Sequence, residues 1–139
     1  MWIYRFLDYF FLVFHQAIII FNLFGWIWKP TRRANLVLLV LTAASWFGLG
    51  LIYGIGYCPF TEWHWQALAK LGKQPAESSY IQFLLRRFFG IYLSARLVDI
   101  ATMICFILAF VASLFMNLRD WILRRKLSRL PEIPINSDK

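Results

Sequence analysis

Residues 34–57 have the sequence ANLVLLVLTAASWFGLGLIYGIGY, which contains no charged side chain. The hydrocarbon core of a bilayer is about 30 Å thick, and a helix crosses it with about 20 mainly apolar residues. A helix also satisfies its backbone hydrogen bonds within one segment, which lipid cannot do for it. This run therefore predicts a membrane-spanning helix and an all-α membrane protein.

Two further apolar runs flank this one. Residues 3–28 end at the charged stretch Lys29-Pro30-Thr31-Arg32-Arg33, and residues 97–118 follow Ser94, a residue type that often caps a helix. We predict a polytopic protein with three spans at about 3–28, 34–57 and 97–118. They form a single helical membrane domain over residues 1–130, followed by a disordered tail at 131–139.

The segment between the second and third runs is more polar. Residues 58–79 are rich in polar and turn-forming side chains and predict a loop outside the membrane. Residues 80–93 place Gln82, Arg86 and Gly90 four apart, which aligns them on one face of a helix. We predict an amphipathic helix in the interface, begun by Ser78 or Ser79. The alternative is a fourth span, which would bring two arginines into lipid.

Composition and charge indicate the partners. Hydrophobic residues make up 60% of the chain and charged residues only 16%, whereas soluble domains have about 25% charged residues. The net charge of +8 comes from basic residues beside the apolar runs, so we expect anionic lipid headgroups as partners and no nucleic acid. The tail residues expected to bind headgroups are Arg124, Arg125, Lys126 and Arg129.

The same basic residues predict the orientation. Lys29, Arg32 and Arg33 lie in the short loop after the first span, and the tail after the third span is also basic. Basic residues near span ends favour the cytoplasmic side. We therefore expect the N-terminus and residues 58–96 outside and the C-terminus in the cytoplasm.

Polar residues within the first span form a candidate site. Asp8, His15 and Asn22 are each seven residues apart, so they share one helix face, and Gln16 is adjacent. Asp99, in the first turns of the third span, is the fifth candidate. One interpretation is hydrogen bonding between helices. The other makes His15 a proton carrier, a haem or metal ligand or a headgroup-binding residue, with Asp8 as its partner.

A second candidate site lies at the outer end of the second span. Cys58, Glu62 and His64 could bind a soft metal ion, although three such residues are a weak signal. The alternative is an aromatic interface anchor in which Pro59 stops the preceding helix. The chain has no phosphate-binding loop, nucleophile elbow or zinc-protease motif.

Small residues in the second span predict close helix packing. Ala44 and Gly48 form one pair with four-residue spacing, and Gly50 and Gly54 form another. Such pairs let helix backbones approach closely. The partner is either a helix of this chain or another protein.

Several of these features together resemble a known group of proteins. His15, the short basic loop, the stretch from Ser45 through Tyr57-Cys58-Pro59-Phe60-Thr61 and the later Tyr80-Ile81 are similar to small bacterial inner-membrane proteins of unknown function. These proteins share a Cys-Pro-Leu-Thr-like motif after the second span, where this chain has Phe60 instead of leucine. The resemblance covers about residues 9–121 and implies a multi-span protein with an outward Cys-Pro motif, without implying an activity.

The leading functional expectation is a non-catalytic accessory or scaffold subunit, which packs against a larger inner-membrane complex or forms a homo-oligomer. For this subunit we predict no cofactor, whereas haem or metal belongs to the alternative. The alternative is a redox, metal, haem or lipid-processing site on the outer side, built around His15, Asp8 and Cys58.

Overall fold

The computed structural model describes residues 1–129 and contains helices without strands in that range. Three long helical segments are apolar enough to cross a membrane: Trp2–Phe24, Lys29–Tyr53 and Ala95–Leu127. The prediction of an all-α protein with three candidate spans is confirmed. The tail expected at 131–139 lies outside the described residues.

The first span is helix α1, Trp2–Phe24. A short 3-10 turn at Lys29–Thr31 leads into α2, Arg32–Ala43, which continues as a π-helix at Ala44–Leu49 and as α3, Gly50–Tyr53. The second span thus ends at Tyr53, four residues before the predicted end at 57. Gly54 has φ +107, a conformation that ends the helix and that residues with a side chain rarely adopt.

Residues 58–79, predicted as a loop, contain helix α4, Pro59–Lys70. Pro59 begins this helix. It does not stop the preceding helix, which ends at Tyr53, so the aromatic-anchor interpretation is wrong on that point. Proline is favoured in the first turn of a helix because that turn needs no hydrogen bond from its N–H group. Twelve residues extend about 18 Å, which is too short to cross the bilayer.

Helix α5, Tyr80–Phe89, is the predicted amphipathic helix. Ser79 is its N-cap residue but makes no side-chain cap bond, and Gly90 ends the helix with φ +64. The prediction that Gly90 shares a helix face with Gln82 and Arg86 is therefore wrong, because the helix ends before it. The ten residues extend about 15 Å, so α5 is too short for the alternative fourth span.

Helix α6, Ala95–Leu127, is the third span. Ser94 caps it as expected, with its hydroxyl accepting a hydrogen bond from the backbone N–H of Leu97 at 3.4 Å. The helix extends through the basic residues after 118, so it protrudes well beyond the apolar run. An ion pair between Arg32 and Asp120 places the start of α2 and the end of α6 on the same side, as three spans require.

Candidate functional site

A buried polar cluster joins α1, α4 and α5. At its centre the Asp8 carboxylate accepts a hydrogen bond from Nε2 of His64 at 2.8 Å. The Arg87 guanidinium donates two more, at 2.9 Å and 3.0 Å, one to each carboxylate oxygen. The His64 side chain is completely buried and that of Asp8 is 4% exposed. The Arg87 guanidinium neutralises a carboxylate that burial would otherwise destabilise, and the imidazole adds a hydrogen bond to it.

The two hydrogen bonds of His64 fix which of its ring nitrogens donates and which accepts. A neutral imidazole has one N–H donor and one acceptor nitrogen. With Nε2 donating to Asp8, Nδ1 accepts from the Tyr80 hydroxyl, which lies 3.0 Å away. Tyr80, His64 and Asp8 thus form a chain of donors that ends at the carboxylate.

Burial also shifts the protonation of this cluster. Burial lowers the pKa of His64 below its usual 6.5, and the repulsion from Arg87 adds to this, while Asp8 acts in the opposite direction. Burial likewise raises the pKa of Tyr80; Arg87 acts in the opposite direction, and the charge of Asp8 adds to the effect of burial. Both groups therefore favour their neutral forms.

His15 completes the cluster through stacking. Its ring lies 4.0 Å from that of Tyr80 and 24° from parallel. Its Nδ1 atom is buried and has no hydrogen-bond partner among the described residues. Of the predicted intramembrane residues, Asp8 thus contacts α4 and α5, and His15 contacts α5.

The other intramembrane candidates lie elsewhere. Asn22 is buried and donates to the Thr42 hydroxyl of α2 at 3.1 Å, which is a contact between the first two spans. Gln16 is half-buried, and Asp99 is exposed on α6 and joins no ion pair within residues 1–129. The five candidates therefore do not form one site.

The predicted metal-binding residues also separate. His64 uses both ring nitrogens in the Asp8 cluster, whereas Glu62 accepts a hydrogen bond from Gln66. Cys58 is half-buried and its thiol is free, as is that of Cys105. Residues 1–129 contain no group of three metal-ligating side chains placed to hold a metal ion.

The small residues of the second span differ in their surroundings. A Cβ atom at Gly48 would meet no atom within 4 Å, whereas one at Gly50 would lie 3.2 Å from the Cα atom of Ile55. Ala44 and Gly54 are exposed. A close contact between the first two spans occurs at Gly25, where a Cβ would lie 2.9 Å from Nδ2 of Asn35 in α2. The same Cβ would lie 2.6 Å from the Phe21 carbonyl oxygen of the preceding helix α1.

A second polar cluster lies at the opposite end of the bundle. Arg32 donates two hydrogen bonds to the Asp120 carboxylate, at 2.8 Å and 3.0 Å, and its Nε donates to the Trp26 carbonyl oxygen. The Asn117 side chain donates to the Arg32 carbonyl oxygen at 3.0 Å. These bonds join the turn between the first two spans to the end of α6.

The tail residues are exposed along the last turns of α6 and just beyond it. The Arg125 guanidinium lies 3.7 Å from the centre of the Trp121 ring, a cation–π distance. Arg124 faces a cavity of about 430 Å³, which the turn between the first two spans also lines. Lys126 and Arg129 lie outside that lining.

Sequence reasoning missed Tyr80, Arg87, Arg32 and Asp120 as members of polar clusters. Arg87 is one of the two arginines that argue against a fourth span, and the sequence patterns predict no role for Asp120. A lone carboxylate within the basic run from 119 to 129 was an available signal for an ion pair. Its partner could not be identified without the fold, because 88 residues separate Arg32 from Asp120.

Residues 5–118 match a family described as "Protein of Unknown function (DUF2784)". The match covers most of the chain, so the protein belongs to this family. No curated protein and no solved structure matches the chain.

Proposed function

We propose that this DUF2784 protein is a non-catalytic accessory or scaffold subunit of a larger complex in a bacterial inner membrane. Its N-terminus and residues 58–96 lie outside in this proposal, and its C-terminus lies in the cytoplasm. The observation that carries the proposal is the contrast between a closed polar cluster and an open face on the second span.

The polar cluster has the features of a structural contact. The ring nitrogens of His64 are both engaged, and the side chains of His64 and Asp8 are buried. A catalytic group must reach its substrate within hydrogen-bonding distance. His64 and Asp8 instead connect α4 and α5 to the first span.

The outer half of the second span offers a surface for a partner. Gly48 is exposed within a π-helical segment and has open space where a side chain would be. Its large apolar neighbours Phe47 and Leu51 are also exposed. A helix of another membrane protein could approach the backbone closely here, because small residues leave room for the contact. The basic end of α6 would contribute a second contact.

Substitution at Gly48 tests this proposal without disturbing the chain itself. We expect Gly48→Leu to fold normally but to lose the larger complex in native gels after extraction with a mild detergent. The control is Ala101→Leu, which enlarges another small exposed residue on α6 and should leave the complex intact. Co-purification of two differently tagged copies identifies a homo-oligomer. A wild-type protein that runs as a monomer with no co-purifying protein would contradict the proposal.

One observation favours the alternative, an outer-side redox, metal, haem or lipid-processing site. The order of carboxylate, imidazole and hydroxyl in Asp8, His64 and Tyr80 is that of a relay in which a base activates a hydroxyl group. His15 stacks on that hydroxyl-bearing ring. Visible absorbance and metal analysis of the purified protein test the haem and metal versions. A lipid-processing version predicts that Tyr80→Phe abolishes turnover of added phospholipid.

A further inference from the structure

The cavity at the end of the bundle opposite the Asp8 cluster has a basic lining. It has a volume of about 430 Å³ and lies where the turn between the first two spans meets the last turns of α6. Its charged lining residues are Lys29, Arg32, Arg33, Asp120 and Arg124. A cavity of this size is within the range of small-ligand sites.

The charges of this cavity do not cancel. The positive charge of Arg32 is neutralised by the Asp120 carboxylate, which accepts two hydrogen bonds from it. Lys29, Arg33 and Arg124 join no ion pair within residues 1–129. Three positive charges therefore face one cavity without a carboxylate of their own in the described part of the chain, which favours an anionic ligand.

The walls of the cavity are held in place by the neighbouring cluster. The Arg32 guanidinium is bound to Asp120 and to the Trp26 carbonyl oxygen, and the Asn117 side chain is bound to the Arg32 carbonyl oxygen. The start of α2 and the end of α6 are thus fixed relative to each other. A ligand would meet basic groups whose backbone positions are already set, which reduces the entropy cost of binding.

The depth of the cavity indicates the source of the anion. Trp121 lines it, and Trp28 is exposed directly before Lys29. Tryptophan side chains favour the headgroup level of a membrane, and the cavity lies at the ends of two spans. Phosphate is the anionic group found at that depth, and guanidinium groups bind it through paired hydrogen bonds.

We infer that this cavity is a binding site for a phosphate group, supplied by the headgroup of an anionic phospholipid. Lys29, Arg33 and Arg124 bind the phosphate, and the Arg32–Asp120 pair holds the site open. Binding at this site differs from the general attraction between a basic tail and an anionic surface, because it depends on the three basic residues that surround one cavity. It does not depend on the proposed subunit function.

Calorimetric titration of the full chain in non-ionic detergent tests this inference. The probes are short-chain phosphatidylglycerol, short-chain phosphatidylcholine and inorganic phosphate at physiological salt. The triple variant K29Q/R33Q/R124Q removes the cavity charges. The matched control R119Q/K126Q/R129Q removes three basic residues of the same helix end that do not line the cavity. All six side chains are exposed, so both variants should retain the wild-type melting temperature.

We expect phosphatidylglycerol to bind at least about tenfold more tightly than phosphatidylcholine, since a specific site adds to the general surface attraction. The cavity variant should lose about tenfold or more in affinity, and the control variant less than about threefold, because salt screens the more distant charges. Inorganic phosphate that binds as tightly as phosphatidylglycerol would support the phosphate site and identify a soluble phosphate compound as the ligand. Equal losses in the two variants, or equal binding of the two lipids, would overturn the inference.

Discussion

Asp8 and His64 are separated by 56 residues in the chain, and their side chains are 2.8 Å apart. Asp8 lies in the first span, and His64 lies in a helix too short to cross the membrane. The contact is the centre of a cluster that also contains Arg87 of α5. A single carboxylate thus holds two short helices against the membrane domain.

The first prediction concerns this carboxylate. Asp8→Asn should lower the free energy of unfolding by roughly 2–3 kcal/mol, because it leaves Arg87 without its counter-charge and weakens the bond to His64. The loss is smaller than for a fully buried pair, since the Arg87 side chain is 27% exposed. Unfolding in detergent, followed by tryptophan fluorescence, measures it. Asp99→Asn, at an exposed carboxylate, is the control and should change stability by less than about 0.5 kcal/mol. Equal effects of the two changes would show that the Asp8 cluster does not support the fold.

The second prediction concerns pH. Burial lowers the pKa of His64 in the folded protein. As the pH falls through about 6.5, His64 therefore takes up a proton in the unfolded chain before it does so in the folded chain. The unfolded state then binds more protons, and stability must fall as the pH falls below about 6.5. Melting temperatures between pH 7.5 and 5 should show this decline. His64→Gln, which cannot titrate, should have a shallower decline over the same range. A wild-type melting temperature that rises on acidification would contradict the direction of the shift.

The third prediction concerns the contact between the first two spans. Gly25→Ala places a methyl group against the Phe21 carbonyl oxygen and the Asn35 side chain, which hydrogen-bond to each other at 2.6 Å. We expect a loss of about 1–3 kcal/mol in the free energy of unfolding, as overpacking typically causes. Gly48→Ala meets open space and serves as the control. Denaturant unfolding of both variants in detergent provides the comparison, and an unaffected Gly25→Ala protein would refute the close approach.

The fourth prediction concerns topology and uses single cysteines in a chain without Cys58 and Cys105. Gln74→Cys lies between α4 and α5, and Ser128→Cys follows the last turn of α6. A membrane-impermeant thiol reagent added to intact cells should label the first and reach the second only after permeabilisation. The reverse pattern would indicate the opposite orientation, against the distribution of basic residues. Labelling of both from outside would require an even number of spans between the two positions and would contradict the three-span fold, which has one span there.

Much of the fold could be predicted because lipid imposes a simple rule. Any apolar run long enough to cross the bilayer must form its hydrogen bonds internally, so residues 34–57 indicate a helix before any contact is known. The seven-residue spacing of Asp8, His15 and Asn22 likewise predicts one helix face, and all three are buried. Helix ends were less predictable. Gly54 and Gly90 end helices through backbone conformations that no periodicity reveals.

The partners of the polar residues depended on the tertiary structure. The sequence by itself determined that Asp8 needs a partner, because an isolated carboxylate in a span is costly. It could not determine that this partner is His64 of α4 and Arg87 of α5, nor that Arg32 pairs with Asp120. Local rules relate residues three, four or seven positions apart on one helix. Contacts between helices depend on how α4 and α5 fold back against α1 and on how the end of α6 meets the turn between the first two spans. Only the packing of the whole chain decides those arrangements.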